Sequence, residues 1–259
     1  MEMRVLWLLL FAGSMAQEDM DRNVFLFPRR SNDDYVVLKP MVTGPLHNLT
    51  VCLRSYTDAG TYALLTVGTL ESRIRNMFVI LQSISSYSQT SPYHYSNIYI
   101  NNMASPIPEK ADVLGWIHRC VTWDSNTGVL QLWVNGKVSP RTVLQKGFSI
   151  DLQDGISLGQ MQVRSGNRHY IGHYYVSNQY EWDSSSLFQG EITDVHMWNE
   201  VLPPETIWQV LLNNRDINGN VISWRSLNYT INGDVTVQPK LQCRYGSESG
   251  SSHSQCSME

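Results

Sequence analysis

The sequence predicts an all-β fold: an antiparallel two-sheet sandwich with one short helix. Three observations carry that expectation. Short β-branched and aromatic runs recur between turn-rich stretches. One dipeptide, Asn135-Gly136, has the composition of a two-residue hairpin turn. Only one stretch, near 203–213, has helical periodicity.

The runs begin with Asn23-Val24-Phe25-Leu26-Phe27-Pro28, closed by its proline, and Tyr35-Val36-Val37-Leu38, followed by Lys39-Pro40. Leu49 to Tyr56 alternates well enough for a half-buried strand. Tyr62 to Val67 and Met77 to Leu81 continue the pattern. In Val129-Leu130-Gln131-Leu132-Trp133-Val134, the residues Leu130, Leu132 and Val134 share a face. The chain then turns at Asn135-Gly136, a pair suited to two positive φ angles. Pro140 interrupts the return strand and places part of it at a sheet edge. The helix is entered through Leu202-Pro203-Pro204-Glu205, with proline and an acid in the first turn. Ile207, Trp208, Leu211 and Leu212 are expected to form its apolar stripe, and Asn213-Asn214 its stop.

Composition bounds the function. The 259 residues are 42 % hydrophobic and 16 % charged, enough apolar material for a core. A formal net charge of −4 offers no basic field for nucleic acid or an anionic membrane. Residues 1–16 read as a signal peptide: Arg4, the apolar run Val5 to Ala12, and Ser14-Met15-Ala16 as cleavage site. The product is expected to be secreted. The four cysteines, Cys52, Cys120, Cys243 and Cys256, then read as disulfide partners, with three pairings open. Asn48-Leu49-Thr50 and Asn228-Tyr229-Thr230 are possible glycan acceptors.

The segment His118-Arg119-Cys120-Val121-Thr122-Trp123-Asp124-Ser125 matches the pentraxin signature, His-x-Cys-x-Ser/Thr-Trp-x-Ser/Thr, at each fixed position. Phe25 to Pro28, Leu49 to Leu53, Leu132 to Gly136, Gly190-Glu191-Ile192, Met197-Trp198 and Val201 to Glu205 resemble other stretches of that family. The chain is therefore identified as resembling a divergent pentraxin over roughly 22–242 of its sequence. The resemblance implies a jelly roll of the legume-lectin kind and a cyclic homo-oligomer, usually a pentamer. It divides the chain into the signal peptide, a pentraxin domain over 17–242 and a polar tail over 243–259. It pairs Cys52 with Cys120, leaving Cys243 and Cys256 to close a small C-terminal loop or to bridge subunits. Trp123, three residues after Cys120, is expected in the core near that pair, and His118, a lone histidine, is expected to have a structural, hydrogen-bonded role.

Pentraxins typically hold two calcium ions per subunit, through which they bind phosphocholine or another anionic group. Most of the family's ligand positions are altered here. The Gly-Gln-Glu-Gln-Asp run reads Gly159-Gln160-Met161-Gln162-Val163, with Met161 and Val163 in place of carboxylates. The Asp-Asn pair aligns with Arg75-Asn76, and Ser186 falls where a Gln belongs. Asn76, Gln162 and Asp183 remain as oxygen donors. Calcium needs a crowded shell of hard oxygens, so binding is expected to be absent or weak. The segment between Gln162 and Asp183 is longer than usual and rich in interface-type side chains: Arg164, His169, Tyr170, His173, Tyr174, Tyr175, Tyr180 and Trp182. It is either a long hairpin over the family's metal face or a replacement binding loop.

No Gly-x-Ser-x-Gly elbow, P-loop or dinucleotide fingerprint occurs. Related jelly rolls include glycosidases, which need paired carboxylates. Glu181-x-Asp183 is the nearest candidate and lacks a further acid. Two functional classes follow: a lectin-like binder of anionic or carbohydrate ligands, or an assembly protein of a secreted coat or matrix.

Overall fold

The computed structural model describes residues 17–68, 77–85, 93–109, 115–164, 169–170, 173–174, 180–244 and 255–258. The signal peptide, Arg75, Asn76 and Tyr175 lie outside them. The strands run in chain order from β1 (Asn23–Phe27), β2 (Tyr35–Leu38), β3 (Asn48–Tyr56), β4 (Tyr62–Val67), β5 (Phe78–Ser85), β6 (Tyr93–Ile100) to β7 (Met103–Glu109). There follow β8 (Ile117–Asp124), β9 (Val129–Val134), β10 (Lys137–Val138), β11 (Thr142–Val143), β12 (Ile156–Leu158) and β13 (Gln162–Arg164). After these come β14 (His169–Tyr170), β15 (His173–Tyr174), β16 (Tyr180–Trp182) and β17 (Gly190–Trp198). Helix α1 (Pro204–Leu211), β18 (Tyr229–Asn232), β19 (Thr236–Pro239), β20 (Leu241–Arg244) and β21 (Gln255–Met258) complete the order.

Two antiparallel sheets form the sandwich. One has the order β10-β9-β8-β3-β17-β1-β19, with β11 also on β9; the other has β18-β2-β12-β4-β5-β6-β7. Alternation along each strand sends one set of side chains between the sheets. Phe25, Phe27, Leu49, Val51, Leu53, Val121 and Trp123 from the first sheet meet Val36, Leu38, Phe78, Ile80, Ile98 and Leu158 from the second. A register shift between Ala63 and Leu65 in β4 lets Leu64 and Leu65, though adjacent, both join this core.

The β9–β10 turn is built as its residues require: φ is +47° at Asn135 and +79° at Gly136. Helix α1 packs on the outer face of the first sheet, where Ile207 and Leu202 cover Cys52, Cys120 and Trp198. Burying a side chain such as Ile207 is worth roughly 1.5–3 kcal/mol. The helix's apolar stripe differs from the expected one. Ile207 is buried and Val210 and Leu211 are half-buried, whereas Trp208 and Leu212 are exposed. The buried positions are spaced i, i+3, i+4, and Trp208 lies about 100° around the helix from Ile207.

Cys52 and Cys120 are disulfide-bonded and directly opposite each other across β3 and β8, with Cα atoms 4.1 Å apart. Trp123 is in the core as expected, but not beside the disulfide. Residues 120 and 123 are an odd number apart in one strand, so they face opposite ways. Trp123 points between the sheets and its Nε1 donates to Leu144 O at 2.9 Å, while the disulfide lies under α1. No helix among the described residues is long and apolar enough to cross a membrane.

Candidate functional site

The outward face of the second sheet carries Met161, one of the positions at which the resemblance leads to the expectation of an ion ligand. Val79, Leu81 and Tyr99 point away from the core, alternating with Phe78, Ile80, Ile98 and Ile100, which point into it. Met161 lies on this outward face and is buried against Ala63, Val79, Leu81 and Tyr99. The thioether therefore completes an apolar cluster where a carboxylate was the expected ligand.

The polar groups around Met161 are largely committed to the chain itself. Asp183 N donates to Met161 O at 2.7 Å. Asp183 Oδ1 accepts from Ser185 N at 3.0 Å and from Ser185 Oγ at 2.7 Å. Ser186 is buried, its Oγ donates to Asp183 O at 3.3 Å, and its carbonyl accepts from Ala63 N at 2.7 Å. Gln160 Nε2 donates to Ser31 O and Asp34 O, at 2.7 and 3.0 Å, fixing the segment to the loop before β2. Gln162 is buried opposite Trp182, whose ring packs 5.2 Å from that of Tyr35. Burial, with the Asp183 charge second, pushes the Tyr99 hydroxyl above its ordinary pKa.

The described residues of the longer segment pair as two short antiparallel ladders. β13 pairs with β16 in the register Gln162↔Trp182, Val163↔Glu181, Arg164↔Tyr180. Further out, β14 pairs with β15, setting His169 opposite Tyr174 and Tyr170 opposite His173. Glu181 and Asp183 flank Trp182, and Asp183 is held by Ser185.

The signature residues lie on the first sheet, in the layer under α1 and in the core. Burial, then the Arg54 charge, lowers His118 to about 3, so its ring is neutral. Its hydrogen bonding is not what the sequence suggests: among the described residues Nδ1 has no hydrogen-bond partner, and Nε2 lies 3.6 Å from Cys120 Sγ. The anchoring bond belongs to the backbone, His118 N donating to Asn135 Oδ1 at 2.8 Å. Ser125 Oγ donates to Phe148 O, and Thr122 is buried. Among the described residues, Cys52, His118 and Cys120 are the one converging group of His, Cys or acidic ligand atoms, and its sulfurs are bonded to each other.

Two charged groups inside the fold were not legible in the sequence. Arg119 and Glu109 pair in the interior, and Asp194 joins Arg54 and Lys240 at 2.9 and 2.6 Å. Asp194 has φ +54° and sits where the β17–β3 register shifts between Thr193 and His196. Such a bulge re-aims a side chain. Burial alone would raise the Asp194 carboxyl; the Lys240 and Arg54 cations outweigh it and hold its pKa low. Neither group follows from alternation or from a motif.

The architecture is that of a lectin-like jelly roll. The Pentaxin family model matches residues 23–239. C-reactive protein of Xenopus laevis is 43 % identical over 245 residues, covering 94 % of both chains. Serum amyloid P-component of Rattus norvegicus is 33 % identical, covering 93 % of this chain and 97 % of that protein. The chain belongs to the pentraxin family. A heptameric serum amyloid P-like pentraxin from Limulus polyphemus shares the fold at TM-score 0.67 and 20 % identity, covering 85 % of this chain and 96 % of that one.

Proposed function

We propose that this chain is a secreted, non-enzymatic pentraxin of the pattern-recognition kind. In this reading it assembles as a cyclic homo-oligomer, a pentamer by family habit, and recognises anionic or carbohydrate ligands without the family's pair of calcium ions. Met161, buried in the apolar cluster of Ala63, Val79, Leu81 and Tyr99, carries the reading.

Calcium takes about six to eight oxygen ligands, and a thioether packed on aliphatic side chains supplies none. Val163 and Arg75 alter two more ligand positions. Asp183 Oδ1 is already engaged by Ser185. The residues present therefore do not fit the double-calcium group. A unit charge pair at ~4 Å is worth about 4 kcal/mol at an effective dielectric of 20, roughly doubled for a divalent ion. That exceeds the roughly 4 kcal/mol separating micromolar from millimolar binding. Recognition then falls to the segment 162–182, whose His, Tyr, Trp and Arg content suits a contact surface.

Calorimetric titration with calcium and solution mass with and without EDTA test this reading. A multiple of the subunit mass, unchanged by EDTA, with no two-ion binding step, is the expected result. Two ions per subunit at micromolar affinity would overturn it. Retention on phosphocholine or polysaccharide resin separates the recognition protein from a coat or matrix protein that assembles without binding.

A further inference from the structure

We propose that Cys243 and Cys256 form a second intrachain disulfide, fixing a C-terminal hairpin. The backbone places them together. β20 and β21 are antiparallel in the register Leu241↔Met258, Gln242↔Ser257, Cys243↔Cys256, Arg244↔Gln255. The two cysteine positions are therefore directly opposite, the relationship in which Cys52 and Cys120 are joined across β3 and β8. Since Cys52 and Cys120 use each other, the remaining two have no other partner within the chain.

Physical need points the same way. β20 and β21 pair with each other and with no other strand among the described residues. An isolated two-stranded ribbon is marginal in water, and here the intervening sequence is rich in Gly and Ser, which resists closure. A covalent crosslink removes much of that closure entropy from the open chain. The hairpin starts at a rigid point: Lys240 N donates to Arg22 O at 2.8 Å, and Lys240 Nζ reaches Asp194 at 2.6 Å. The residues that the family model matches end at 239, just before the hairpin.

The bond forms by thiol–disulfide exchange with a disulfide of the secretory compartment, small or protein-borne. One cysteine thiolate attacks that disulfide and releases one thiolate. The second cysteine thiolate then displaces the other half of the oxidant from the mixed disulfide. Both cysteines are oxidised, the external disulfide is reduced to two thiols, and the two protons lost by the cysteines end on them.

Trypsin cuts after Lys240 and Arg244, which separates the two cysteines into peptides 241–244 and 245–259. The full-length secreted protein, alkylated without reduction and then digested, is expected to yield these peptides as one linked species that reduction splits. On a non-reducing denaturing gel the protein is expected to run as a single chain. Alkylated peptides 241–244 and 245–259 would overturn the proposal. So would a covalent dimer that is lost in both Cys243→Ser and Cys256→Ser.

Discussion

Arg119 Nη2 lies 3.1 Å from Glu109 Oε1 inside the sandwich, with both side chains at most 5 % exposed. The guanidinium also donates to Ser55 Oγ and Gln82 Oε1, each at 3.2 Å, and Ser96 Oγ donates to Glu109 Oε1 at 2.8 Å. One ion pair thus organises a polar knot in an apolar interior. Removing one partner leaves a buried charge uncompensated, at a cost of about 3–5 kcal/mol. Glu109→Ala is expected to lose that much in equilibrium urea unfolding. The double variant Arg119→Met, Glu109→Leu should recover most of it, since an apolar replacement leaves no charge stranded. Equal losses in both variants would refute the account.

Acid should weaken the fold well above the carboxylate range. Burial, first of all, lowers His118 to about 3 and His196 to about 4, both below the unfolded value near 6.5. At His196 the geometry agrees, because Gly219 N and Trp224 N point at Nδ1 from 3.3 and 3.5 Å and need it unprotonated. The unfolded chain therefore binds more protons below pH 6.5, and stability falls with pH from there to about pH 3–4. At pH 5 each histidine costs about 2 kcal/mol by linkage. Asp194, held ionised by Lys240 and Arg54, adds a further loss below its unfolded pKa. The urea midpoint is expected to drop between pH 7.5 and 5, and His196→Gln should reduce that drop. A midpoint flat over this interval would contradict the burial argument.

The Cys52–Cys120 bond closes a loop between residues 68 apart in sequence. In the chain-entropy model such a loop is worth about 4 kcal/mol. The double variant Cys52→Ala, Cys120→Ala is expected to lose stability of that order by thermal or urea unfolding. A loss under about 1 kcal/mol would mean that the packing of α1 over β3 and β8 fixes this layer without the crosslink.

The two sequons should differ in occupancy. The Asn48 amide nitrogen, turned toward them, donates to His47 O at 3.1 Å and Asp124 Oδ1 at 3.0 Å. Thr50 is buried, donating to Glu200 O at 2.7 Å and accepting from Leu202 N at 3.0 Å. Asn228 is half-buried before the edge strand β18, and Thr230 is exposed. A glycan mass removable by glycosidase is expected from the protein expressed in a eukaryotic secretory system, lost in Asn228→Gln and kept in Asn48→Gln. The opposite pattern would show that folded-state access does not govern the choice.

Periodicity and a few motifs carried much of this molecule. Alternation in β3 and β9, the Asn135-Gly136 turn, the Pro203-Pro204 helix entry and the His118 to Ser125 signature are local signals, and local backbone sterics act on them directly. The same reading missed which face Trp123 takes and which side of α1 is buried. Both depend on what lies across the element rather than along it.

The sequence alone determined the all-β class, the family and the altered chemistry at Met161 and Val163, because residue type and short-range spacing are sufficient for those. Only the tertiary structure decided that Met161 joins an apolar cluster, that Arg119 finds Glu109, that Asp194 turns toward Lys240, and that Cys243 stands opposite Cys256. Each is a meeting of segments distant along the chain or set by strand register. Burial, charge pairing and register are fixed by packing, which no single stretch of sequence contains.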